Sequence, residues 1–180
     1  MMYRINNYLK PIIQINHSHY VQKLLFTPDE KILISQSYND IKFWDVKTKK
    51  LLRTIEGDFS FLHDISISPD AKILASGCEY IKFWDIDTGK LINIISGDFD
   101  WINNIVFTPD GNHVAVLTLR INDFYDSDDA YIVNDTNESL DFVRLELWNI
   151  NKMRRIWSKK IISEPFFLDC TEDGWLVYND

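Results

Sequence analysis

The sequence predicts an all-β protein built from repeats of a four-stranded unit about forty residues long, and three observations support this fold class. A Thr/Ser-Pro-Asp motif occurs three times at nearly equal intervals, with its prolines at Pro28, Pro69 and Pro109. A second motif surrounds Trp44 and recurs after the same interval around Trp84. Short apolar runs between turn motifs are typical of strands rather than helices. A fixed period of this length indicates a repeat architecture.

Each unit is predicted to contain four antiparallel strands, a, b, c and d in chain order. In the second unit these strands are 62–68, 72–76, 80–86 and 91–95. A Pro-Asp turn joins a to b, because proline fixes φ and aspartate bonds to its own backbone. The hairpin turn before strand d is Asp87-Thr88-Gly89-Lys90. Units are joined at Gly57-Asp58 and Gly97-Asp98, where glycine permits the chain to cross between units.

An acidic segment interrupts the third unit. The third copy of the tryptophan motif, around Trp148, follows Trp84 by much more than one repeat period. The surplus coincides with an insertion at about 121–143, which contains seven acids and no Lys or Arg. The acids are Asp123, Asp126, Asp128, Asp129, Asp135, Glu138 and Asp141. Outside this segment the chain has 19 basic and 20 acidic residues, so the segment carries nearly all of the net charge of −8.

These motifs resemble those of the WD-repeat (WD40) family. The resemblance covers nearly the whole chain outside the insertion, and residues 97–110 (GDFDWINNIVFTPD) follow the family pattern almost position for position. It implies a β-propeller, in which four-stranded antiparallel blades pack radially around a channel. It also implies a single domain over 1–180 that acts as a non-catalytic protein–protein interaction scaffold.

The resemblance also implies a polar set in each blade: His at the blade junction, Ser or Thr on strand b, Trp on strand c, and Asp between b and c. The junction His is replaced by Asp58 and Asp98, and only His17 lies near that place in the first unit. The strand b position holds Ser35, Ser76 and Val116 in the three units. The turn at 77–80 has no aspartate. We therefore expect a degraded polar set in every unit, with stability depending more on packing of the tryptophans.

The predicted strands amount to four blades. Three complete units run from Tyr20 to about Ile162, residues 165–180 supply only strands a and b, and 2–5 and 12–15 align with strands c and d. Three arrangements stay open. Two chains could exchange ends to form an eight-bladed homodimer without exposed sheet edges. The chain could instead be a truncated propeller remnant without independent function, or a closed four-bladed monomer.

Aromatic residues near the connecting glycines are the candidate partner-binding residues. They are Tyr20, Phe59, Phe61, Phe99 and Trp101. The resemblance implies that the junction loops lie on one rim of the ring, where exposed aromatics would anchor a protein or peptide. Alternatively, Phe61 and Trp101 pack against the neighbouring blade. Three acids in the same loops favour a basic partner: Asp58, Asp98 and Asp100.

The sequence disfavours other functional classes. The negative charge argues against nucleic-acid binding, and no apolar run is long enough for a membrane span or signal peptide. Cys78 and Cys170 lack CxxC spacing, which favours reduced thiols and a cytoplasmic location. Catalytic and phosphate-binding motifs are absent, so we expect no enzyme and no cofactor. We expect His17 and His19 to lie in a polar loop without a metal, and the insertion lacks calcium-loop spacing.

Overall fold

The computed structural model of the chain describes residues 17, 19–56, 62–97, 101–120, 142–161, 168–171, 173–174 and 176–178. Within these ranges the chain forms strands and no helix. The strands make three four-stranded sheets and one two-stranded sheet, and all strand pairs are antiparallel. The predicted all-β fold class is therefore confirmed. The predicted strands at 2–5 and 12–15 lie outside the described residues.

We call the four sheets blades 1 to 4 in chain order. Blade 1 contains β1 (Lys23–Phe26), β2 (Ile32–Gln36), β3 (Asp40–Asp45) and β4 (Leu51–Glu56). Blade 2 contains β5 (Asp64–Ile67), β6 (Ile73–Gly77), β7 (Ile81–Asp85) and β8 (Leu91–Ile95). Blade 3 contains β9 (Trp101–Phe107), β10 (His113–Arg120), β11 (Phe142–Asn149) and β12 (Arg154–Ile161). The described part of blade 4 contains β13 (Leu168–Cys170) and β14 (Leu176–Tyr178).

The strands of each four-stranded blade are ordered as they follow in sequence. The first strands of successive blades, β1, β5, β9 and β13, lie next to one another, so the fourth strands are the outer ones. Strand β8 has the predicted bounds, and β7 lies one residue inside the predicted strand at each end. Strand β11 begins at Phe142 and includes the buried Val143, so the residues at the C-terminal bound of the predicted insertion, about 121–143, lie in this strand.

The turn between the first and second strands is fixed by the same bond in each four-stranded blade. In blade 1 the hydroxyl of Thr27 donates to Oδ1 of Asp29 at 2.7 Å. The matching pairs in blades 2 and 3 are Ser68–Asp70 at 2.7 Å and Thr108–Asp110 at 2.5 Å. The Thr/Ser-Pro-Asp motif therefore recurs because its first and third residues close this turn together.

Apolar side chains fill the spaces between successive blades. The core between blades 1 and 2 includes Ile34, Phe43, Ile65, Leu74 and Trp84. The core between blades 2 and 3 includes Phe83, Ile102, Ile105, Phe107 and Trp148. A third core, between blades 3 and 4, includes Leu117, Leu145 and Leu168. Burial of each large side chain contributes about 1.5–3 kcal/mol, so these interfaces are the main stabilising feature.

Gly77 permits close packing between blades 2 and 3. It is the last residue of β6, and a Cβ atom at this position would lie 2.5 Å from Cγ2 of Ile102. Contacts this short do not occur between carbon atoms in folded proteins. A larger residue at Gly77 would therefore push the first strand of blade 3 away from blade 2.

Candidate partner-binding rim

One end of the blades carries the turns between second and third strands together with the segments that precede the first strands. We call this end the rim and define it by residues 17, 19–22, 37–39, 62–63, 78–80 and 101–102. Backbone hydrogen bonds join neighbouring blades there. The amide of Leu62 donates to the carbonyl of Tyr38 at 3.0 Å, and the amide of Ile102 donates to the carbonyl of Cys78 at 3.1 Å. The rim is therefore held across blade boundaries as well as within blades.

Tyr20 is the most exposed aromatic side chain of the described rim, with 69% of its surface accessible. Its hydroxyl lies 3.1 Å from that of Tyr38, and the two rings meet edge to face with centroids 5.4 Å apart. The hydrogen bond with Tyr38 raises the pKa of Tyr20, so the Tyr20 phenol stays protonated near neutral pH. The pair is an exposed, oriented aromatic surface on blade 1.

Trp101 begins β9 and is half-buried. Its ring lies 4.2 Å from the ring of His63 in blade 2. Burial lowers the pKa of His63, and the neighbouring charge of Asp64 offsets only part of this effect. Nε2 of His63 is buried and has no hydrogen-bond partner among the described residues. Trp101 therefore covers a neutral imidazole at the boundary between two blades.

The predicted site residues fall into two groups. Tyr20 and Trp101 both lie on the rim, on blades 1 and 3. Phe59, Phe61 and Phe99 lie outside the described residues, as do Asp58, Asp98 and Asp100. Tyr38 and His63, which contact the two described candidates, were not predicted from the sequence. Their position in the repeat could have identified them, because Tyr38 lies in the short turn before β3 and His63 lies immediately before β5.

A complete polar set is present in blade 1, so the expectation of a degraded set in every unit was wrong for this blade. Nδ1 of His17 lies 2.5 Å from Oδ1 of Asp40, and Nε2 of His17 lies 2.7 Å from Oγ of Ser35. Trp44 donates its indole N–H to the same Oγ at 2.9 Å. His17 is thus a buried member of this set and does not lie in a solvated polar loop. The aspartate of this set, which was not predicted from the sequence, is Asp40, the first residue of β3.

Asp40 is ionised because its hydrogen bonds outweigh its burial. Burial alone would raise the pKa of this carboxyl group. Hydrogen bonds from Ser37 and His17, together with the positive charge of Lys42, reverse the effect, and the net pKa is lowered. The carboxylate thereby connects the turn before β3 to the segment before β1.

The tryptophans on the third strands of blades 2 and 3 donate to two different kinds of acceptor. In blade 2, Trp84 donates to Oγ of Ser76 at 2.8 Å, and Tyr80 occupies the position one repeat after Asp40. In blade 3, Trp148 donates to Oε2 of Glu146 at 3.0 Å, and Arg155 donates to Oε1 of the same carboxylate at 2.6 Å. Among the residues that the structure describes, blade 2 therefore forms only part of the set, and blade 3 forms a different one.

Asp64 links the first strands of three blades. Lys23 of β1 donates to its Oδ1 at 2.5 Å, and the backbone amide of Ile105 in β9 donates to its Oδ2 at 3.0 Å. The Asp64 side chain is buried. A buried carboxylate is tolerated only when its charge is compensated, and here a cation and a backbone donor from the two flanking blades provide this compensation.

Metal ligands and membrane-spanning helices are both missing from the described part of the chain. It contains no group of three His, Cys, Asp or Glu side chains arranged to hold a metal ion. None of its segments forms a helix long and apolar enough to cross a bilayer.

Comparison with known proteins agrees with this architecture. Residues 49–85 match the model of the family described as WD domain, G-beta repeat. Two solved structures are similar: "Structure of U3-55K", at 19% identity, and "Crystal structure of RRP9 WD40 repeats", also at 19%. Both superpose with a TM-score of 0.61 over 79% of this chain. No relative was found among curated protein sequences.

The chain spans 40% and 39% of the lengths of these two solved chains, so the similarity concerns the blades and not the whole of either protein. Domains of this class generally act as non-catalytic platforms for protein interactions. The family match, the similar structures and the three four-stranded sheets lead to one conclusion. Residues 49–85 match a WD repeat, and the four-stranded sheets have the fold of β-propeller blades.

Proposed function

We propose that this chain is a non-catalytic scaffold that binds a protein or peptide on its rim. The Tyr20–Tyr38 pair is the observation that carries the proposal. Both rings are held in place by an edge-to-face contact and a hydroxyl hydrogen bond, while Tyr20 stays largely exposed. Oriented aromatic side chains are favourable binding anchors, because little conformational freedom is lost when a partner covers them.

The partner is proposed to be basic. Support comes from the sequence, in which three aspartates accompany the connecting glycines at Asp58, Asp98 and Asp100. Acidic side chains around an aromatic anchor favour cationic partners and speed their association. Nucleic acids and membranes are not proposed as partners, because the chain has a net charge of −8.

The proposed location is the cytoplasm. Support comes from Cys78 and Cys170, which are both free thiols. Free cysteines are typical of reducing compartments.

Site-specific photo-crosslinking tests the rim. A photoreactive phenylalanine analogue replaces Tyr20 in one variant and Ile92 of the outer strand β8, which is also exposed, in a matched control. In cell extract, we expect crosslinked species from the Tyr20 variant that are missing from the Ile92 variant. Identical species from both positions, or none from the Tyr20 variant, would contradict binding at the rim.

A second candidate function is that of a half-ring that dimerises into an eight-bladed propeller. The exposure of one equivalent residue in the first strand of each blade supports this dimer. Ile65, Ile105 and Leu168 occupy this position in blades 2, 3 and 4 and are 0%, 2% and 7% exposed. Leu24 occupies it in blade 1 and is 52% exposed. The face of blade 1 that carries Leu24 therefore lacks the neighbour that every other first strand has among the described residues.

The native mass in solution tests this second candidate. Light scattering is expected to give twice the chain mass of 21.3 kDa. Leu24→Glu should convert the dimer to a monomer, whereas Ile92→Glu, at a residue with the same 52% exposure, should not. A folded monomer of the unmodified chain would exclude the dimer. A purified chain that does not fold on its own would exclude both the dimer and the closed four-bladed monomer.

A further inference from the structure

Strand β12 is an exposed sheet edge. It is the outermost strand of blade 3 and pairs with β11 on one side only, within the described residues. Seven of its eight residues are exposed, and only Ile161 is buried. An unpaired edge presents a row of backbone donors and acceptors that an extended peptide can use.

This edge is strongly basic. Strand β12 contains four cations and no acid: Arg154, Arg155, Lys159 and Lys160. The equivalent outer strands differ, since β4 contains one Arg and one Glu and β8 contains no charged residue. Cations on edge strands discourage pairing between copies of a chain. Because β4 and β8 occupy the same position without such a row, the fold itself does not require it.

The register of β12 with β11 places the cations on both faces of the strand. Arg154, Trp157 and Lys159 pair with alternate residues of β11 and therefore share one face. Arg155 and Lys160 lie on the other face, where Arg155 also binds Glu146. Trp157 is 44% exposed between the cations of its face. An added strand would thus meet positive charge at both ends and an aromatic side chain at its centre.

From this arrangement we infer that the β12 edge binds an extended acidic segment of a partner protein, which pairs with it as a fifth strand of blade 3. Acidic residues of the segment would lie opposite the cations, and an apolar residue would lie opposite Trp157. A nucleic acid could satisfy the positive charges but has no peptide ladder to pair with the edge. The inference concerns a surface and a partner charge different from those of the rim, so the two are tested separately.

Fluorescence polarisation with the full chain and a labelled peptide, Glu-Glu-Thr-Val-Val-Glu-Glu, tests the inference. We expect saturable binding that weakens as salt is raised. Arg154→Glu with Lys159→Glu should weaken binding at least about tenfold, because like charges then face each other. The matched control is Lys47→Glu with Lys50→Glu, which changes the net charge equally on exposed residues of blade 1 and should leave binding unchanged. Amide exchange within 154–160 should slow when the peptide is present.

Several outcomes would overturn the inference. Equal loss in both double variants would show that only net charge matters. Equal binding of the peptide after N-methylation of alternate amides would exclude strand pairing, and tighter binding of a single-stranded oligothymidylate would indicate a polyanion site. Binding only after the seven acids of 121–141 are changed to Asn or Gln would identify this chain's own acidic segment as the occupant.

Discussion

The Nδ1 atom of His17 lies 2.5 Å from Oδ1 of Asp40, although 23 residues separate them in the sequence. This contact joins the segment before β1 to the turn before β3, and Ser35 and Trp44 complete the hydrogen-bonded set. Blade 1 is the only four-stranded blade in which the described residues form this set in full. The three blades therefore have closely similar backbones but different polar interiors, and their substitutions should have different effects.

The strand b serines provide the first comparison. Ser35 accepts the Trp44 indole N–H and bonds His17, whereas Ser76 accepts the Trp84 indole N–H and makes only a long contact with the carbonyl of Lys82. We expect Ser35→Ala to lower the free energy of unfolding by about 2–3 kcal/mol and Ser76→Ala by about 1 kcal/mol, because the first change leaves two buried groups unsatisfied. Urea denaturation of both variants measures the difference. Equal losses would show that His17 adds nothing to the set.

The ion pair between Glu146 and Arg155 provides the second comparison. Glu146 is buried, and Arg155 is partly exposed. Arg155→Ala should destabilise the chain by about 1–3 kcal/mol, because it leaves a buried carboxylate uncompensated. Adding Glu146→Gln should recover most of this loss, since the amide oxygen still accepts the Trp148 N–H. Urea denaturation of both single variants and the double variant completes the cycle, and strictly additive effects would argue against coupling.

His63 should make stability depend on pH. Its folded pKa lies below the ordinary value of 6.5, so at pH values between the two the unfolded chain binds a proton that the folded chain does not. The free energy of unfolding should therefore fall as pH is lowered from 6.5. We expect His63→Gln to flatten this slope. Thermal unfolding at several pH values provides the measurement.

Gly77→Ala should disturb the boundary between blades 2 and 3. The new methyl group would lie 2.5 Å from Cγ2 of Ile102, and overpacking of this kind typically costs about 1–3 kcal/mol. Ile102→Ala removes the opposing atom at the expense of a cavity. The double variant should therefore be more stable than the sum of the two single losses predicts. Additive losses by urea denaturation would show that the two residues do not clash.

The repeat motifs predicted most of the fold because they are local. The evenly spaced prolines identified the turns, and β8 has the bounds expected from its apolar run. Asp40 was not predicted because the expectation for this turn depended on the second unit, where Tyr80 stands at the equivalent position. Glu146 was not predicted because its role depends on contacts between strands. Val116 replaces the strand b serine, so the Trp148 indole N–H needs another acceptor, which is Glu146. The pairing of β11 with β12 then brings Arg155 close to this acceptor.

The hydrogen bonds of Asp64 have a consequence for the order in which the blades unfold. Lys23 and Ile105 each lie 41 residues from it, one repeat in either direction. A chain that is connected this way behaves as a row of coupled units, in which an end unit can open while its neighbours stay intact. Among the described residues, blade 2 alone is flanked by two four-stranded blades, so it should be the last to exchange its amide hydrogens. Blade 1, with Leu24 uncovered, should be the first of the four-stranded blades to fray, so proteolysis is expected to begin there.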